Sequence, residues 1–136
     1  MDEAWKRMRA QYETAYRAML GGDPEPFKAL WSHAADISLF GALGGMERGW
    51  DEVRPRYDWV SKAVVAEGTR IENLHTEISG DVAVAVDLEH MVRFVDGKRI
   101  PRTLRVTHCY RRENGEWRIF HRHGDELRPA ERPAGA

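Results

Sequence analysis

Apolar positions recur at helical spacing from the start of the chain. Trp5, Met8, Tyr12, Ala15, Tyr16 and Met19 fall three and four residues apart, which puts them on one face of a helix over residues 2–20. Gly21 and Gly22 end it, because glycine readily takes the conformation of a C-terminal cap. Asp23-Pro24 opens a short second helix with Phe27, Leu30 and Trp31 inward. DISLF, residues 36–40, reads as a strand, and GALGG as the turn after it. Trp50, Val53, Tyr57, Val60 and Val64 stripe a third helix over residues 50–66, where Pro55 predicts a kink or a later start.

The rest of the chain is strand-rich, with runs at 69–78, 82–95, 98–112 and 116–125. They are separated by Ser79-Gly80-Asp81, Asp96-Gly97 and Asn114-Gly115, and the last two are strong hairpin signals. Helices first and a meander last predict an α+β domain, residues 1–126, with helices on one face of the sheet. A strongly bent, mostly antiparallel sheet would wrap these helices into a cone-shaped barrel with one open mouth. Residues 127–136, rich in Pro, Ala and charge, are expected to be disordered.

Two-residue turns at Asp96-Gly97 and Asn114-Gly115 set a register. The first pairs Glu89 with Leu104, Asp87 with Val106 and Ala85 with His108. The second, counted without interruption, pairs His108 with His121, Val106 with His123 and Leu104 with Asp125. Paired residues share a face. One face then carries Asp87, Glu89, His108, Tyr110, Trp117, His121, His123 and Asp125. The other carries a valine stripe beside Arg105, Arg118 and Arg122, a composition suited to a subunit interface. Pro101 marks a place where a bulge could break the count.

Composition narrows the function classes. The chain has 136 residues, 21 Lys plus Arg and 22 Asp plus Glu, for a net charge of −1. No basic excess marks a nucleic-acid or anionic-membrane binder. No apolar run spans a bilayer, and the charged start lacks a signal core. Cys109 is alone, so no internal disulfide forms, and a reducing, cytoplasmic setting is the simpler expectation.

The GGDPE break, the GW-x-x-V helix and above all the ending THCYRRENGEWRIFHRHGD resemble the nuclear transport factor 2-like superfamily in its SnoaL-like branch. The ending is also similar to the association domain of calcium/calmodulin-dependent protein kinase. The resemblance implies a cone-shaped barrel, commonly dimeric, with diverse functions. Cavity arginines of the association domain fall on His108 and Glu89, so the anion preference they suggest does not carry over. The catalytic base of ketosteroid isomerases falls near Leu39 or Phe40, where no carboxylate stands, which argues against steroid isomerisation by that mechanism. Asp125 is a loose counterpart of the acid–base residue in SnoaL-like cyclases.

The candidate chemistry is therefore a pocket between the first helix and the sheet. It would bind a mostly apolar compound with a carbonyl or hydroxyl, and turn it over by cofactor-free proton transfer: isomerisation, dehydration or cyclisation. His121 or His123 would be the base and Asp125 or Asp87 its orienting partner. Tyr16 or His108 would donate to developing negative charge. Tyr12, Trp31, Phe40, Trp50, Glu89, Tyr110 and Trp117 would line the pocket. The plainer reading of each is structural: buried histidines bonded to backbone or tyrosine, and aromatics filling the core. Residues 87, 89, 108, 121, 123 and 125 have metal-ligand chemistry but no signature spacing, so no metal is expected. The rival function is a non-catalytic association or ligand-sensing domain, a homodimer through the outer sheet face.

Overall fold

In the computed structural model, which describes residues 2–135, helix α1 spans Glu3–Leu20. Asp2 caps it, accepting a hydrogen bond from the Trp5 amide at 2.6 Å. The predicted stripe is the buried face: Trp5, Met8, Tyr12, Ala15, Tyr16, Met19 and Leu20. Helix α2 is a single turn, Glu25–Lys28, whose Phe27 is fully buried. Helix α3 spans Trp50–Ala63 and runs through Pro55. Its buried side chains are Val53, Tyr57 and Ser61.

Strands β1 (Ser38–Gly41), β2 (Gly44–Arg48), β3 (Ala66–Ser79), β4 (Val82–Val95), β5 (Lys98–Glu113) and β6 (Glu116–Glu126) form one sheet in the order β2-β1-β6-β5-β4-β3. The glycine-rich stretch after β1 is thus the turn and second strand of a hairpin rather than a turn alone. Strand β1 runs parallel to β6, and the other pairings are antiparallel. The sheet ends at β2 and β3, which do not pair. The expected cone-shaped barrel therefore does not close: the architecture is α+β, three helices on an open six-stranded sheet. Among the described residues, no helix is long and apolar enough to cross a membrane.

Both predicted tight turns form. Asp96 and Gly97 have φ of 51° and 75°, Asn114 and Gly115 53° and 79°, and these left-handed values match the right-handed twist of a hairpin. The β4–β5 register is the expected one without interruption, straight through Val92 opposite Pro101, so no bulge forms there. The bulge sits in β6 instead. Tyr110 pairs with Ile119, and the next residue, Cys109, pairs with His121, leaving Phe120 as the extra residue. From that point every side chain of β6 changes face relative to the uninterrupted count. Arg122, Gly124 and Glu126 turn inward. His121, His123 and Asp125 turn outward, contrary to the expectation above.

The inward choice has a physical cause. Asp87 and Glu89 are both fully buried on the inner face. A buried carboxylate needs a cation, since an unpaired one loses its hydration without compensation. The bulge delivers Arg122 to Glu89, and α1 delivers Arg9 to Asp87.

Candidate functional site

Under α1 and α2 the inner face holds a chain of buried polar groups. Arg9 grips Asp87 with two hydrogen bonds, 2.7 and 3.0 Å, and Asn73 donates a third at 2.8 Å. Arg122 grips Glu89 in the same forked manner, at 2.8 Å on each oxygen. Tyr12 donates its hydroxyl to Glu89 as well. Between the two pairs lies His108. Arg122 Nη1 is 3.1 Å from His108 Nε2, and a guanidinium only donates, so Nε2 is the bare acceptor nitrogen. The other ring nitrogen faces the Tyr110 hydroxyl at 3.4 Å. Burial, then the charges of Arg122 and Arg9, hold the His108 pKa well below its ordinary value, so the ring is neutral.

These groups hold one another. Asp87 and Glu89 have spent their oxygens on arginines, an amide and a tyrosine, and neither is a free base. Tyr12 and Tyr110 are sealed at 0% exposure.

Beside this network a cavity of about 110 Å³ opens between β1, α3 and the ends of β4, β5 and β6. Its apolar wall is Met19, Leu39, Val60, Val64, Met91 and Leu104, with Ala42 and Leu43 of the β1–β2 turn at its border. Its polar side chains are Tyr16, Tyr57, Arg56, Arg93, Arg102, Arg122 and Glu126. Arg122 thus has one side on the network and one on the cavity, and His108 stands behind it. Tyr57 is 3% exposed, and its hydroxyl donates to no partner among the described residues. Burial pushes its pKa up, so the hydroxyl keeps its proton and is a donor.

Of the predicted site residues, Tyr16 lines the cavity, while Tyr12, Glu89, His108, Tyr110 and Asp87 lie in or beside the network behind it. The expected cluster of His121, His123 and Asp125 does not join them. On the outer face His121 Nδ1 is 2.7 Å from Ser38 Oγ, the Phe40 ring lies edge-on to both histidines, and Asp125 is paired with Arg105 at 2.6 Å. Desolvation, then the neighbouring His123, lowers the His121 pKa. Trp31 is core, packed on Tyr57. Trp117 packs on Trp5, and Trp50 stacks on His33 at 3.8 Å. None of Trp31, Phe40, Trp50 and Trp117 lines the cavity. A metal set drawn from both groups of residues cannot assemble, because the sheet separates them.

The sequence reading missed Arg9, Arg122, Arg93 and Arg102, and read Tyr57 only as a core residue. Arg93 was within reach: period two continued past Glu89 puts Met91 and Arg93 on the inner face. Arg122 had only one signal, the two buried carboxylates that require cations.

The model of the SnoaL-like domain family matches residues 8–124. No curated protein is significantly similar to the chain. Among solved structures, a protein from Streptomyces avermitilis described as a proposed dehydratase of the nuclear transport factor 2-like family superimposes with a TM-score of 0.77 at 18% identity, over 93% of this chain and 97% of that one. A proposed calcium/calmodulin-dependent protein kinase type II association domain from Thiobacillus denitrificans gives 0.75 at 19% identity, covering 90% and 94%. A ketosteroid isomerase-like protein from Erwinia carotovora gives 0.75 at 19%, covering 91% and 94%. At these identities the likeness speaks for the fold alone.

Proposed function

Starting from the fact that this chain belongs to the SnoaL-like domain family, we propose that it binds a small, mostly apolar molecule bearing a carbonyl or hydroxyl in the cavity between β1 and α3. The observation that carries this reading is the Tyr57 hydroxyl: buried, protonated, donating to nothing among the described residues, and carried on a side chain that lines a cavity with an apolar wall. A buried donor left unpaired costs about 1–3 kcal/mol, which a ligand oxygen recovers. A cavity of about 110 Å³, smaller than the roughly 150 Å³ that encloses benzene, suits a single small ring whose polar substituent projects out of the apolar part.

The same cavity supports cofactor-free proton transfer on that ligand, as an isomerase, dehydratase or cyclase. Tyr57 would hold the oxygen on which negative charge develops. Glu126, the one carboxylate in the lining among the described residues, is held by Arg102 through one oxygen only, at 3.1 Å, and its other oxygen would move the proton. This assignment replaces the histidine relay, whose members lie across the sheet.

The test is an NMR titration of the chain with cyclohexanone, a carbonyl probe of suitable size. The expected result is shifts at Leu39, Met91 and Leu104. In Tyr57→Phe binding is expected to weaken roughly 3- to 10-fold, the worth of one neutral hydrogen bond. Absence of shifts at those residues, or unchanged affinity in the variant, overturns the reading.

A second reading, self-association, is supported by the outer sheet face. Leu74 and Leu127 are exposed there and line a groove with Val86, Leu88, His121 and His123.

A further inference from the structure

The charge of the cavity identifies the class of ligand, on the premise that the cavity is the ligand site. Arg56, Arg93, Arg102 and Arg122 line it. Arg56 is neutralised by Glu47 at 3.2 Å, Arg102 by Glu126 at 3.1 Å and Arg122 by Glu89 at 2.8 Å. Arg93 has no such partner among the described residues, and its Nε is buried without an acceptor. A guanidinium does not lose its proton in a protein, so one positive charge in the cavity stands uncompensated. Arg93 lies on β4 two positions beyond Met91, on the same inner face, where the apolar wall meets the mouth.

We propose that the ligand is a small organic monoanion, a monocarboxylate whose charged group sits on Arg93 and whose apolar body lies against Leu39, Val64, Met91 and Leu104. A ligand with a second oxygen places it on the Tyr57 hydroxyl. One free cation among the described residues matches one negative charge. A phosphate monoester would bring a second, and only by breaking a neighbouring ion pair could the cavity match it. The positive charge is supplied here by β4 at the mouth, while the positions of His108 and Glu89 lie deeper and carry none.

Calorimetric titration of the full chain with sodium benzoate and with benzamide, at matched ionic strength, tests the assignment. The two probes share size and shape and differ in charge. Benzoate is expected to bind about 10-fold tighter, by a preference that shrinks as salt rises. Arg93→Gln is expected to make the two affinities equal, and Arg93→Lys to retain part of the preference. Arg99→Gln removes a positive charge outside the cavity and is expected to retain all of it. Equal affinities in the unaltered chain, or a preference that survives Arg93→Gln, overturn the monoanion inference and leave the cavity reading standing. Failure of both probes to bind overturns both. Displacement of benzoate by millimolar inorganic phosphate overturns the choice of carboxylate.

Discussion

Glu89 and Arg122 show how a residue's chemistry dictates its position. Each is a charge that burial would punish alone, and among the described residues each finds its counter-charge in the other, through two bonds of 2.8 Å. Removing one member leaves the other buried and unpaired, and Arg122→Met or Glu89→Leu is expected to cost about 3–5 kcal/mol. The double variant is expected to cost far less than the sum, because no orphaned charge remains. Urea denaturation of the three variants checks this, and an additive double variant would refute the pairing. The same reasoning explains why His121 and His123 do not form the site. With hydrophobic neighbours and a nearby serine they are adequately housed outside, and nothing inside needs them.

At the scale of elements, the bulge at Phe120 is the decisive feature. Deleting Phe120 is expected to leave a foldable chain, because Ile119 still meets Tyr110, His121 still meets Cys109 and Arg122 still faces inward. Inserting one alanine between His121 and Arg122 turns Arg122 outward and strands Glu89, at an expected cost of about 3–5 kcal/mol. Urea midpoints of the two chains give the comparison, and an insertion milder than the deletion would sink the account of why the bulge exists. Elements were legible where local signals agree. Asp96-Gly97 and Asn114-Gly115 announce their turns, and the stripe of α1 is complete in the sequence. Strand β2 was not legible. Gly44–Arg48 begins with two glycines, and it is a strand because β1 offers it an edge to pair with. Pro55 did not delay the start of α3, which begins at Trp50.

For the whole molecule, His108 links folding to pH. Its folded-state pKa lies below the ordinary 6.5, so as pH falls through 6.5 the unfolded chain takes up a proton that the folded chain refuses. Stability is expected to fall below pH 6.5 by about 1.4 kcal/mol per pH unit for this group, until the folded value is reached. His121, half-buried, shifts in the same sense and adds a smaller share. In His108→Gln, whose amide can accept from Arg122, the slope between pH 6.5 and 5 is expected to flatten. Thermal or urea denaturation across that range measures it, and an unchanged slope would contradict a neutral His108. Self-association through the outer face predicts a sedimenting species of twice the chain mass, reduced to one by Leu88→Arg. A monomer at high concentration would contradict it.

Helix α1, the two tight turns and the β4–β5 ladder follow from the sequence by itself, because each rests on local periodicity or on residues that tolerate positive φ. The open sheet, the side of it that Arg122 takes and the cavity beside Tyr57 were decided only by tertiary structure. A single extra residue in β6 reverses the facing of everything after it. The reason to place it there is the pairing of Glu89 with a residue 33 positions away, a contact that no local pattern records.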